Sequence, residues 1–87
     1  MGRSRQSRPE RLPEKLREIR KMLGLSQQQI HDRLKPGVAT LHVGYIGSYE
    51  SGEKVPSLLI VLNYSRLAGI PMELLVDDEL DLPWNTP

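Results

Sequence analysis

The segment over residues 24–34, GLSQQQIHDRL, carries the strongest local structural signals in the chain. Gly24 suits the left-handed backbone position that follows the end of a helix. Ser26 is a good N-cap residue, and Gln29 stands three residues later, as a capping box requires. The two apolar residues that follow are four positions apart and therefore share a helical face. The segment thus predicts the end of one helix, a tight turn and a second helix over about 27–34.

Residues on the N-terminal side of this turn predict the first helix. Leu16, Ile19 and Leu23 recur at helical spacing, with charged residues between them. Pro13 suits the first turn of a helix. We therefore expect a first helix over about 13–23.

A third and weaker helix is predicted on the C-terminal side. Residues 35–42, KPGVATLH, indicate a loop with apolar content, and residues 43–51, VGYIGSYES, indicate a short helix. Gly44 and Gly47 each weaken this helix by roughly 1 kcal/mol relative to alanine. Gly52 then ends it.

Two further short helices complete the predicted domain. Ser57 caps a fourth helix that ends at Gly69, and Pro71 starts a last helix over about 71–76. The expected inner face of the fourth helix comprises Leu58, Val61, Leu62, Ser65 and Ala68. Five short helices with short connections indicate a compact all-α domain over residues 12–76.

The charges of the chain are segregated, although the total is only +1. Residues 1–35 carry ten Lys/Arg and four Asp/Glu, a net of +6, whereas residues 36–87 carry two and seven, a net of −5. The basic half favours a polyanion such as nucleic acid, and the alternative is that both charged faces are merely solvated. We expect residues 1–11 to form a flexible basic arm, which either enters a minor groove or only aids solubility, and residues 77–87 to form an acidic C-terminal tail.

Composition excludes several classes of function. A chain of 87 residues supports one small domain, and the absence of cysteine excludes disulfides, thiolate zinc sites and thiol nucleophiles. The longest apolar run, residues 58–62, is far too short to span a membrane, and the basic N-terminus lacks the apolar stretch of a signal peptide, so we expect a cytoplasmic protein. His31 and His42 lack metal-ligand spacing, and the sequence has neither a catalytic set nor a glycine-rich phosphate loop. We therefore predict no enzyme activity, no cofactor and no metal site.

Two tightly joined helices, followed by a glycine-terminated helix with small polar residues, are typical of a helix-turn-helix. On these residues the chain resembles the XRE-like helix-turn-helix family, which includes the phage repressor and Cro proteins. The residues that carry the resemblance are Leu16, Arg20, Gly24-Leu25-Ser26-Gln27, Ile30, Leu34, Ile46, Tyr49-Glu50-Ser51-Gly52, Pro56-Ser57-Leu58 and the stretch from Leu62 to Leu75. The resemblance implies a lambda-repressor-like five-helix fold that binds double-stranded DNA.

The resemblance also implies how DNA is bound. The third helix lies in the major groove, where base edges present a distinct hydrogen-bonding pattern, and the second helix crosses the DNA backbone. The implied DNA-binding residues are Gln27, Gln28, His42, Val43, Gly44, Tyr45, Ser48, Ser51 and Lys54. Gln27 either contacts a phosphate or braces the third helix, and Ser51 and Lys54 meet the far phosphates. For Tyr45 the alternative is a place in the core, and for Lys54 it is an exposed side chain without a role.

Two features depart from the family pattern. The connection from Leu34 to Ile46 is several residues longer than usual, so that either Thr40 or His42 caps the third helix. His31 stands where the family usually has alanine, which allows the second and third helices to pack closely. The longer turn gives this side chain room.

Two residues beside the implied site are expected to be structural. Tyr49 shares the face of Ile46 and is predicted to lie in the core. Glu50 is predicted to pair with Arg20.

The resemblance implies a sequence-specific transcriptional regulator, more specifically a repressor, of bacterial, archaeal or phage origin. It would bind an inverted repeat as a homodimer, which either exists in solution or forms only on DNA. The alternative is an antitoxin or phage-type protein-interaction module whose acidic tail docks a partner through Leu80, Leu82 and Trp84. These three residues equally suit burial against the domain or a dimer contact. The near-neutral total charge disfavours a nonspecific DNA-packaging protein.

Overall fold

The computed structural model of the protein describes residues 9–38 and 40–85. Within these ranges it is all-helical, which confirms the predicted fold class. The helices are α1 (Leu12–Met22), α2 (Gln27–Leu34), α3 (Val43–Ser51), α4 (Leu58–Ala68) and α5 (Glu73–Val76), with 3-10 turns at Lys35–Gly37 and Pro83–Asn85. The predicted arm lies mainly on residues 1–8, outside the described residues, as does residue 39 of the predicted loop.

Helices α2 and α3 have the predicted bounds. The capping box of α2 is present, because Gln29 N–H donates to Ser26 Oγ (3.1 Å) and Ser26 N–H donates to Gln29 Oε1 (2.8 Å). Gly24 and Gly52 adopt φ of 71° and 87°, the left-handed region in which glycine is favoured after a helix. Helix α5 is shorter than predicted, since residue 71 is irregular and residue 72 forms a turn before the helix.

The core lies between α1, α2, α3 and α4, and α5 packs on α1. Its buried apolar residues are Leu12, Leu16, Ile19, Ile30, Leu34, Leu41, Ile46, Tyr49, Ile60, Val61, Tyr64, Leu75 and Leu82. Tyr49 is therefore in the core, as predicted. No helix in the described ranges is long and apolar enough to cross a membrane.

The predicted inner face of α4 is wrong at its start. Leu58 is 72% exposed, whereas Ile60 and Tyr64 are buried and take the place expected for Leu58 and Leu62. The reason is that α4 begins with five apolar residues in succession, so hydrophobic periodicity cannot determine which side faces inward.

The segment after α5 packs against the N-terminal half of α1. Leu82 is fully buried, and Lys15 Nζ donates to the carbonyls of Leu74 (2.8 Å), Asp77 (2.9 Å) and Leu80 (2.7 Å). All three protons of the Lys15 ammonium are thus satisfied by backbone carbonyls. Leu82 is one of the three tail residues for which partner docking, burial against the domain or a dimer contact was considered. Its side chain is buried in the core.

The same segment caps α1. Arg11 occupies the N-cap position of α1 and makes no capping bond with its own side chain. Instead, the carboxylate of Asp78 accepts hydrogen bonds from the backbone N–H groups of Glu10 (2.9 Å) and Arg11 (3.0 Å). Arg11 Nη2 also donates to Asp81 Oδ1 at 2.6 Å. The start of α1 therefore depends on residues almost seventy positions away in the sequence.

Candidate nucleic-acid interface

Helix α3 presents a face of small residues to solvent. Gly44, Ser48 and Ser51 are four and three positions apart and share this face, and the buried Ile46 and Tyr49 lie on the other side of the helix. Ser48 Oγ donates to the Gly44 carbonyl (3.5 Å) and Ser51 Oγ donates to the Ser48 carbonyl (3.2 Å). Because these side chains are small and fold back on the helix, another molecule can approach the α3 backbone closely.

An aromatic cluster borders this face. The ring of His42 meets the ring of Tyr45 edge-on, with centroids 5.1 Å apart, and Tyr45 also lies 6.3 Å from Tyr49. Lys54 Nζ sits 4.5 Å from the centroid of the Tyr45 ring, within the range of a cation–π interaction. Tyr45 is half-buried, so it contacts the core and remains accessible to solvent. Lys54 is thereby held beside α3.

The start of α3 is formed differently from the prediction that a side chain caps it. His42 occupies the N-cap position with an extended backbone (φ −98°, ψ 144°), but its side chain makes no capping hydrogen bond. Its ring is directed to Tyr45 instead. Val43 follows and is exposed, as is Gly44. Neighbouring contacts, and not a local cap, therefore position the first turn of α3.

The N-terminus of α2 lies against α3. Gln27 Nε2 donates to Glu50 Oε1 (3.3 Å), and a Cβ added at Gly47 would lie 3.6 Å from Gln27 Oε1. Gln27 is thus seen in the bracing position, and Gly47 leaves room beside it for a side-chain methyl group. Gln28 is exposed, and its Nε2 donates to Asp32 Oδ1 (3.0 Å).

The backbone at this end of α2 suits an anion. The Ser26 side chain accepts a hydrogen bond from the N–H of Gln29, whereas the N–H groups of the first two helical residues have no acceptor within the helix. The positive end of the helix dipole adds to this preference. Exposed glutamines and unpaired N–H groups together can bind a phosphate.

Charge within the basic half is partly used for internal contacts. Arg11, Lys15 and Arg20 are all engaged with acidic side chains or carbonyls of the domain. The predicted pair between Arg20 and Glu50 is confirmed, and its hydrogen bonds raise the pKa of the Arg20 guanidinium. The exposed cations of the described residues are Arg17, Lys21, Arg33, Lys35, Lys54 and Arg66. The net charge of residues 1–35 therefore overstates the positive charge available to a polyanion.

Sequence reasoning missed one contact at this interface. His31 Nε2 lies 2.9 Å from the Leu41 carbonyl, in a buried hydrogen bond that links α2 to the residue preceding the α3 N-cap. The available signal was a polar residue adjacent to the buried stripe of α2, combined with a long loop that had to be held in place.

Comparisons with known proteins agree with this geometry. A family model described as Helix-turn-helix matches residues 16–75. Among solved structures, the chain is similar to the restriction-modification controller protein C.AhdI from Aeromonas hydrophila, with 29% sequence identity and a TM-score of 0.57. That match covers 75% of this chain and 91% of the controller protein. No curated protein sequence matches. The chain belongs to the XRE-like helix-turn-helix family of DNA-binding transcriptional regulators.

Proposed function

We propose that this regulator represses transcription by binding an inverted repeat in double-stranded DNA as a homodimer, with α3 in the major groove of each half-site. The observation that carries the proposal is the exposed small-residue face of α3, bordered by the N-terminus of α2 on one side and by Lys54 on the other. Repression requires only that a promoter be occupied, and a DNA-binding domain suffices for that.

Each implied contact has a distinct role in this proposal. Val43 makes apolar contact with a thymine methyl group, and Ser48 donates to or accepts from base edges. Gly44 allows the α3 backbone close to the DNA. His42 and Tyr45 border the same groove. Helix α3 contains no arginine, asparagine or glutamine, the side chains that can form two hydrogen bonds to one base. Sequence specificity therefore depends on the close fit of α3 in the groove as well as on hydrogen bonds.

Phosphate contacts position the domain. Gln28 and the first N–H groups of α2 bind one phosphate, while Gln27 keeps its bracing contact with Glu50. Ser51 and Lys54 bind phosphates at the other end of α3. Because such contacts release counterions, affinity falls steeply as salt is raised.

The dimer contact is assigned to an apolar patch at the start of α4. Val55, Leu58 and Leu59 are all large, apolar and exposed, and they begin one residue after Lys54. This places the patch next to the proposed phosphate contacts, where a second copy on the neighbouring half-site could reach it. A two-fold dimer uses the same patch on both copies, so one apolar patch is sufficient.

The test is selection of binding sites from a pool of random DNA duplexes at moderate salt. Recovery of an inverted repeat supports the dimeric regulator, and the distance between half-sites gives the geometry of the dimer. Binding without enrichment of any sequence contradicts specific recognition. If folded protein binds no duplex at low salt, the protein-interaction alternative takes the place of this proposal.

The genes under control form a narrower part of the proposal. The structural neighbour is a restriction-modification controller, and this supports restriction-modification genes as the regulated set. The enriched operator can be searched for in the genome that encodes this chain. Its occurrence upstream of endonuclease and methyltransferase genes supports this set, and its occurrence only at unrelated promoters contradicts it.

A further inference from the structure

The sequence of helix α3 contributes little to the stability of the helix and to the position of its first turn. It contains Gly44 and Gly47, each of which costs a helix roughly 1 kcal/mol relative to alanine. Its N-cap residue, His42, contributes no side-chain hydrogen bond. A helix with these features depends on tertiary contacts for the position of its first turn.

Leu41 is the anchor immediately before this turn. Its side chain is buried, and its N–H donates to the Val38 carbonyl at 3.0 Å. Its carbonyl lies 2.9 Å from His31 Nε2, and since a carbonyl can only accept, His31 donates here. The next carbonyl, that of His42, accepts from Tyr45 N–H (3.0 Å) and so begins α3.

His31 is itself held firmly on α2. Its side chain is almost fully buried, and its Nδ1 lies 3.0 Å from Asp32 Oδ1, a carboxylate oxygen that can only accept, so both ring nitrogens carry a proton when both hydrogen bonds are made. The same carboxylate oxygen accepts from Gln28 Nε2 at 3.0 Å. The hydrogen bonds with His31 and then Gln28 lower the pKa of Asp32. A continuous path of contacts therefore runs from Gln28, at the proposed phosphate-binding end of α2, to Leu41 at the start of α3.

We propose that His31 is a positioning residue for DNA recognition: its hydrogen bond to Leu41 sets the position of α3 relative to α2, and thereby the alignment of Val43 and Gly44 with the base edges. The proposal rests on the proposed function, in which α2 is docked on phosphates and α3 reads bases. Contacts of this kind require their supporting residues to hold them to within about half an ångström. The longer loop of this chain makes such a support necessary, because a longer connection has more conformations to lose.

The experiment compares His31→Ala and His31→Gln, the second of which keeps a side-chain N–H donor. Ile60→Val, a conservative change in the buried face of α4, serves as a control for small losses of stability. Each variant is measured for affinity to the selected operator, for affinity to a random-sequence duplex at low salt, and for amide exchange at Tyr45 in the absence of DNA.

We expect His31→Ala to lose about tenfold in affinity for the operator, comparable to loss of one base contact, while affinity for random duplex changes less than about twofold. Exchange at Tyr45 should accelerate by about tenfold, since the first turn of α3 opens more readily. His31→Gln should restore most of the operator affinity and most of the protection from exchange at Tyr45. Ile60→Val should not lower operator affinity more than random-duplex affinity, and it should not accelerate exchange at Tyr45 in particular.

Three outcomes overturn the proposal. One is operator affinity of His31→Ala within twofold of that of the parent; another is equal loss on operator and random duplex; the third is unchanged exchange at Tyr45. If the parent protein itself binds no duplex, the proposed function fails, and the exchange measurement still decides whether His31 positions α3.

Discussion

Glu50 on α3 receives two parallel hydrogen bonds from Arg20 on α1, one from Nε at 2.7 Å and one from Nη2 at 3.0 Å. Both side chains are largely withdrawn from solvent, with 5% of Glu50 and 17% of Arg20 exposed. Arg20 Nη1 also donates to the Leu25 carbonyl, and Gln27 donates to Glu50. The Arg20–Glu50 pair thus joins α1, the turn, the start of α2 and α3.

Replacing Glu50 should destabilise the whole arrangement. Glu50→Gln leaves the Arg20 guanidinium without its charged partner in a nearly buried place, and we expect a loss of about 2–3 kcal/mol in the free energy of unfolding. Urea unfolding measures it. Glu53→Gln, an exposed change just beyond α3, is the matched control and should cost less than about 0.5 kcal/mol. Equal effects of the two changes would show that the pair does not stabilise the domain.

Loss of the Lys15 ammonium should loosen the C-terminal segment. Lys15→Met keeps an apolar stem but removes three hydrogen bonds to carbonyls, so we expect a loss of about 2–4 kcal/mol. Thermal unfolding and limited proteolysis within 77–85 provide the measurement. Lys21→Met, an exposed change on the same helix, should leave both nearly unaltered. A segment that stays protected in Lys15→Met would contradict this role.

The cap provided by Asp78 predicts a dependence of stability on pH. Hydrogen bonds from the backbone N–H groups of Arg11 and Glu10 lower the pKa of Asp78 in the folded state. The carboxylate therefore contributes stability above its unfolded pKa of about 4, and this contribution is lost as the pH falls through the lower folded pKa. The difference in unfolding free energy between the parent and Asp78→Asn should be constant between about pH 5 and about pH 7. This difference should shrink below about pH 4. Glu79→Gln, its exposed neighbour, should show no such convergence, and a gap that persists at low pH would argue against the cap.

Local sequence signals were sufficient for α2, because Ser26, Gln29 and Gly24 act through hydrogen bonds and backbone preferences within a few residues. The placement of α3 came from its position after a recognisable turn, since its glycines argue against a helix. Contacts such as that of Lys15 with the Leu80 carbonyl cannot be predicted from a local sequence pattern, because both residue types are common in exposed helices and loops. Their contacts arise only when the chain folds.

The same reasoning separates what could be expected of the candidate site from what could not. The small-residue face of α3 follows from helical spacing, and Glu50 was expected to pair with Arg20, two residues that carry the family resemblance. The bond between His31 and Leu41 depends on the course of the long loop, for which residue spacing provides no geometry. Likewise, the exposure of Leu58 depends on the rotation of an almost wholly apolar helix start.

Gly44→Ala should separate helix stability from DNA contact. An added Cβ at Gly44 meets no atom within 4 Å in the described structure, so we expect the free energy of unfolding to rise by about 0.5–1 kcal/mol. Affinity for the operator should nevertheless fall, because the new methyl group stands on the face proposed to approach DNA. Gly47→Ala adds the same methyl group beside Gln27 and should stabilise without a comparable loss of affinity. Equal operator affinities of parent and Gly44→Ala would remove Gly44 from the interface.

The patch at the start of α4 can be tested by introducing a charge. Leu58→Glu exposes a carboxylate where the proposed dimer buries an apolar side chain on both copies, and the monomer tolerates it because Leu58 is 72% exposed. We expect binding to the inverted repeat to lose its cooperativity while affinity for an isolated half-site changes little, apart from a salt-dependent repulsion of the new charge from DNA. Fluorescence anisotropy on half-site and full-site duplexes measures both, and Val76→Glu, which adds the same charge at an exposed position of α5, controls for altered surface charge. Retained cooperativity in Leu58→Glu would place the dimer contact elsewhere, whereas a parallel loss on both duplexes would indicate that α4 contacts DNA directly.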